Sequence, residues 1–185
     1  MSYVPDFVAL YEIIPYIRNL PLNNETIHVA VQDYLEGGER KTDIIKKYGK
    51  IEDWNTSEVT DMSGLFCQYY TFNEDISKWN TSKVTNMSGM FYRAEMFDQS
   101  IGEWDTSNVT NMNSMFHRAI SFNKPIGNWK VHNVDNMALM FWDTLSFNQN
   151  IEGWNVSNVT TMKNIFYGAE GFHFENAPWY SDDDY

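Results

Sequence analysis

A block of 25 residues recurs five times without an insertion, and this period constrains the fold more than any other feature of the chain. Written from Ile51, it reads Ile-x-x-Trp-x-x-x-x-Val-x-x-Met-x-x-x-Phe-x-x-x-x-x-Phe. The Trp stands at Trp54, Trp79, Trp104, Trp129 and Trp154; the Val at Val59, Val84, Val109, Val134 and Val159. The Met follows at Met62, Met87, Met112, Met137 and Met162. The two Phe columns are Phe66, Phe91, Phe116, Phe141, Phe166 and Phe72, Phe97, Phe122, Phe147, Phe172. A unit this short cannot bury its apolar face alone, so a fixed period predicts repeats stacked on their neighbours. Identical knobs at identical positions are what such stacking demands, and they place these columns in the core. Each buried Trp or Phe removes about 150–250 Å² from water, worth roughly 4–6 kcal/mol before entropy.

Within a repeat the spacing changes partway. Met87, Met90, Phe91 and Ala94 lie at i, i+3, i+4 and i+7, which predicts one face of a short helix. The same holds for Met62, Leu65, Phe66, Tyr69 and for Met112, Met115, Phe116, Ala119. The preceding Thr-Ser-x-Val-Thr stretch is rich in β-branched residues and predicts a short strand. The Asn or Asp after the second Phe (Asn73, Asp98, Asn123, Asn148) suits a turn, since its side chain can bond nearby backbone. The expected fold class is therefore an α/β repeat solenoid: a short, right-handed, leucine-rich-repeat-like stack with one parallel strand and one short helix per repeat.

Residues 1–50 lack the repeat and are expected to form an α-helical N-terminal cap. Phe7, Leu10, Ile13, Ile14 and Ile17 follow helical spacing, interrupted by Pro15. A second helix starts at Asn24 as N-cap, carries the stripe Ile27, Ala30, Val31, Tyr34 and Leu35, and stops at Gly37-Gly38. A third runs from about Lys41 to Tyr48 and ends at Gly49. The repeats then occupy 51–75, 76–100, 101–125, 126–150 and 151–175. Residues 176–185 keep Trp179 but replace the Ile by Asn176, and predict a degenerate C-terminal cap with an acidic tail.

Charge narrows the choice of partner. Up to Lys50 there are six Lys/Arg against seven Asp/Glu; from Ile51 onward seven stand against eighteen, within a total of −12. An acidic surface repels phosphate, which argues against nucleic acid and anionic lipid. Cys67 is the only cysteine, so no intrachain disulfide forms and a reducing compartment is the simpler setting. The start, Met-Ser-Tyr-Val-Pro-Asp-Phe, has no secretory signal pattern, and no segment has the ~18 apolar residues of a membrane span. The expectation is a soluble intracellular protein.

The stretch Ile-Glu-Asp-Trp-Asn-Thr-Ser-Glu-Val-Thr-Asp-Met-Ser-Gly-Leu-Phe from Ile51 resembles the BspA-type leucine-rich-repeat surface proteins. It is closest to the branch with a Trp-Asn/Asp-Thr-Ser-x-Val-Thr-x-Met-Ser-x-Met-Phe repeat, common in mycoplasma lipoproteins and found in protists and large DNA viruses. The resemblance covers residues 51–175. Repeat four departs most, with Lys130, Val131, His132 and Asp135 in place of the usual Asn, Thr, Ser and Thr. It implies an interaction or adhesion module rather than a catalyst, and it implies surface display.

The positions that vary within the fixed register are the candidate site. The residue after the first Phe is Cys67, Tyr92, His117, Trp142 and Tyr167, a row of large, dissimilar groups. Trp and Tyr are strong interface anchors. We expect Tyr92, His117, Trp142 and Tyr167 to bind a protein partner, with Asp143 and Glu170 setting its preference. The plainer alternative is that they lap over the next repeat as outer core. A competing ligand is carbohydrate, held by the threonine face of Thr60, Thr85, Thr110 and Thr160 (broken by Asp135) beside Thr56, Thr81 and Thr106; such hydroxyls more often bond within the fold. His28, His117, His132 and His173 show no metal-ligand spacing, and no Ser or Cys has an evident base. The turns lack the glycine pattern of a calcium β-roll. No catalytic residue, metal or cofactor is expected.

Overall fold

The computed structural model describes residues 20–181. The helix expected over Phe7–Ile17 and the tail residues 182–185 lie outside the described residues. The described residues open with two helices, α1 (Asn24–Glu36) and α2 (Gly38–Tyr48). Asn23, one residue before the position expected, caps α1: its side chain accepts the N–H groups of Glu25 and Thr26, both at 3.0 Å. The Thr26 hydroxyl in turn accepts the Asn23 N–H at 2.9 Å, a reciprocal capping box. The stripe Ile27, Ala30, Val31 and Tyr34 is buried as expected, and Gly49, at φ +84°, ends α2.

The shift of the cap frees Asn24 for another task. Its Oδ1 accepts the N–H groups of Thr60 and Asp61 at 2.8 and 3.1 Å. In the next repeat Thr85 and Asn86 donate the equivalent bonds, at 2.8 and 3.4 Å, to the Thr60 carbonyl. One side-chain amide of α1 thus stands where a preceding repeat would have placed its backbone. Tyr34 seals the same junction: it meets the Trp54 ring edge-on at 5.6 Å and donates its hydroxyl to Glu74 at 2.7 Å. Burial and that carboxylate push the Tyr34 hydroxyl well above its ordinary pKa.

The α/β solenoid expected from the spacing is not what forms. Among the described residues only α1, α2 and two one-turn 3-10 helices, Ile51–Asp53 and Phe174–Asn176, are helical, and there is no strand or sheet. Repeats touch through single parallel bridges, Asp61 to Asn86, Asn86 to Asn111, Asn111 to Asn136 and Asn136 to Thr161. The helix fails because backbone donors alternate in direction. Met87, Gly89, Phe91 and Arg93 send their N–H groups to carbonyls of Asn111, Asn113, Met115 and His117 in the next repeat. Only Met90, Tyr92 and Ala94 close local bonds, each three residues back, so no i to i−4 ladder exists. The strand fails because side chains bend the chain first. Asn55 accepts the Ser57 N–H and Val59 donates to the Thr56 carbonyl, which makes turns of the Thr-Ser stretch.

Alternating direction requires left-handed residues. Gly64 and Gly89 have φ of +63° and +60°; Ser114, Leu139 and Asn164 hold the same position at +55°, +61° and +56°. A side chain there costs on the order of 1–2 kcal/mol. A Cβ at Gly89 would meet nothing nearer than 3.9 Å, so the strain is in the backbone rather than in crowding. Ser114→Gly is therefore expected to stabilise the protein by about 1 kcal/mol, read as a higher urea midpoint at unchanged slope.

Side chains finish the stack. The first Phe column runs from Phe66 to Phe166 with ring centroids 5.5–5.6 Å apart. The second is stacked at 5.6–6.1 Å. Each indole N–H from Trp79 to Trp179 donates to an Ile carbonyl 28 residues earlier, at 2.8–3.2 Å. Asn73, Asp98, Asn123 and Asn148 also act between repeats instead of within their own turn. Each Oδ1 accepts a backbone N–H 25 residues on, at 2.9–3.0 Å.

Candidate functional site

The row Tyr92, His117, Trp142, Tyr167 lies on the turn that follows the first Phe of each repeat. The backbone holds it on both sides. The N–H of each residue closes a local turn, and its carbonyl accepts an N–H from the repeat before, at 2.7–2.8 Å. A left-handed residue comes next in repeats two to four (Arg93, Arg118 and Asp143, φ +58°, +58° and +52°) and turns the chain away, leaving the ring at the surface. The rings touch in series: Tyr92 to His117 at 4.7 Å, His117 to Trp142 at 5.6 Å and Trp142 to Tyr167 at 4.4 Å. Tyr92, His117 and Trp142 are half-buried and Tyr167 is 53% exposed. Each ring packs on the next, as the outer-core alternative expects, and each keeps part of its surface exposed.

Ring orientation decides what such a row can hold. Planes inclined by 32°, 6° and 35° set the rings in a staggered series. Ring edges, with their positive rim, suit carbonyl oxygens, thioethers and other aromatic side chains.

A second row, of which only Glu170 was expected to meet a partner, lies beside the first: Tyr70, Glu95, Ile120, Leu145 and Glu170, again 25 residues apart. It is tied down by the N–H groups of Met96, Ser121, Ser146 and Gly171, which donate to the carbonyls of its first four members. Tyr70, Met96 and Leu145 are exposed. A groove of about 320 Å³ is lined by Glu95, Arg118, Ile120, Asp143 and Leu145. Asp143, expected to steer a partner, pairs with Arg118 at 3.0 Å; Glu170 is exposed at the end of the row. The missed signal was the same period, read three positions further on.

Electrostatics single out the centre of the row. Burial first, then Arg118 and to a smaller degree Arg93, hold the His117 ring below the ordinary histidine pKa against the opposing pull of Asp143. Both effects favour the neutral ring. Among the described residues, the buried side-chain nitrogens and oxygens without a hydrogen-bond partner are His117 Nδ1 and Arg93 Nε. Such groups are rare in native structures, and both belong to this surface.

The threonine face is chemically quieter. Thr85, Thr110 and Thr160 donate their hydroxyls to the carbonyls of Thr60, Thr85 and Asp135 at 3.0–3.2 Å. Thr56, Thr81 and Thr106 are buried and donate to the carbonyls of Asn80, Asp105 and Lys130. Their protons are committed within the stack. No three His, Cys, Asp or Glu residues converge to hold a metal among the described residues, and no described helix is long and apolar enough to cross a membrane.

A protein-family model described as Mycoplasma protein of unknown function, DUF285, matches residues 40–144 and, in an overlapping placement, residues 76–179. The match gives no support to a leucine-rich-repeat assignment of the BspA type. No curated protein and no solved structure matches the chain.

Proposed function

Because the chain belongs to the family of Mycoplasma proteins of unknown function DUF285, whose description names no activity, we propose a function from its surface: a non-catalytic module that binds a protein partner along the aromatic row. The observation that carries this reading is the continuous contact of Tyr92, His117, Trp142 and Tyr167 beside the Ile120–Leu145 groove. The Ile, Trp, Val, Met and two Phe columns of the core each hold one residue type. Along this row the repeats differ, which gives the stack a sequence-specific surface on a uniform frame. Half-buried aromatic anchors next to a groove that sets Ile120 and Leu145 beside the Arg118–Asp143 pair and Glu95 have the composition of an interface centre with a polar rim.

The test compares partner capture by the wild-type chain with a Tyr92→Ser, Trp142→Ser double variant. Capture is expected to fall at least about tenfold, the scale of losing one anchor of ~1.4 kcal/mol or more, while circular dichroism shows the fold intact. Undiminished capture by a folded double variant would overturn the proposal.

A further inference from the structure

In each of the first four repeats, four alternate backbone N–H groups point onto the next repeat. In the fourth, Met137, Leu139, Phe141 and Asp143 donate to the carbonyls of Thr161, Lys163, Ile165 and Tyr167 at 2.8–3.0 Å. The equivalent donors of the fifth repeat are Met162, Asn164, Phe166 and Gly168, and none of them meets an acceptor among the described residues. Their own carbonyls are engaged locally by Ile165, Tyr167, Ala169 and Glu170. The edge therefore offers donors and no acceptors.

Its apolar flank is open as well. Val59, Val84, Val109, Val134 and Met62, Met87, Met112, Met137 are all fully buried, whereas Val156, Val159 and Met162 are half-buried. The other flank is closed. Phe174 and Tyr180 pack edge-on against Phe166 at 82° and 89°, which ends the stacked column, and Trp179 covers Trp154.

We infer that the edge from Val159 to Gly168 is a docking site for a polypeptide segment in the register of the repeat itself, with carbonyl acceptors at alternate positions and Val and Met side chains to cover Val159 and Met162. Four edges of the same polarity in this protein are each occupied by such a segment. Backbone pairing supplies affinity in this mode and alternate side chains supply choice. A second copy of the chain fits poorly. Tail to tail, donors would face donors, and head to tail α1 stands in the way at the other end, where its His28 Nε2 lies 3.0 Å from the Ser63 carbonyl, one of the acceptors a second copy would need.

Amide hydrogen exchange on the full chain tests this, with a synthetic peptide of residues 76–100 as probe. In the free protein the Asn164 and Phe166 amides should exchange at least about tenfold faster than those of Leu139 and Phe141. Saturating peptide should remove the difference, and a peptide carrying Val84→Asp and Met87→Asp should not. The Tyr92→Ser, Trp142→Ser protein should respond as wild type does, which separates this edge from the aromatic row. Slow exchange in the free protein, no protection by the peptide, or loss of protection in that double variant would overturn the inference. Protection that grows with protein concentration alone would also overturn it, by assigning the edge to a second copy.

Discussion

Met112→Asp in the central repeat is expected to abolish cooperative folding, while Met162→Asp should leave a folded protein with a modest loss. Met112 has no exposed surface and is enclosed between repeats two and four, so a carboxylate there would be buried with no cation to pair with. The expected cost exceeds about 4 kcal/mol, a large share of the ~5–15 kcal/mol that holds a domain together. Met162 occupies the same position of the last repeat but is half-buried, because no described repeat follows it. Its carboxylate would keep contact with water. Urea denaturation followed by circular dichroism reads both variants, and equal midpoints would contradict a stack in which each repeat leans only on its neighbours.

Phe116→Ala should cost about 3–5 kcal/mol. The ring is fully buried and touches four others: Phe122 at 4.1 Å, Phe91 at 5.5 Å, Phe141 at 5.6 Å and Trp129 at 6.1 Å. Removing it opens a gap in the first Phe column, and beside Phe122 of the second, that the pinned backbone cannot close. The Phe116 N–H is held by the Met140 carbonyl at 2.9 Å, and its own carbonyl accepts the Thr144 hydroxyl at 2.7 Å. Phe116→Leu keeps most of the volume and should cost under about 1.5 kcal/mol. A Leu variant as damaged as the Ala variant would show that ring stacking, rather than filled volume, holds the column.

The residues that enter the core could be read from the chain. Trp54, Trp79, Trp104, Trp129, Trp154 and both Phe columns are buried where an unbroken period of 25 placed them, and α1 buries Ile27, Ala30, Val31 and Tyr34 of the stripe that helical spacing marked. That Tyr92, His117, Trp142 and Tyr167 form one row was legible too, because they stand 25 residues apart. The Arg118–Asp143 pair and the Ile120–Leu145 groove were less so. Scattered Glu, Ile and Leu look like ordinary surface until 25-residue stacking sets them side by side.

Backbone direction was not legible from side-chain spacing. Met87, Met90, Phe91 and Ala94 share a face in a helix, and they share one equally well in tight turns of alternating hand. The first case satisfies each N–H four residues back, the second sends every other one to a repeat 24 residues ahead. Gly64 and Gly89, in the middle of the expected helix, were the visible sign of the second case, but Ser114, Leu139 and Asn164 hide it in the later repeats. The period by itself determined that the chain stacks and which side chains lie inside. Only the tertiary structure decided how the backbone turns, because the partners of those N–H groups belong to the neighbouring repeat and no window within one repeat contains them.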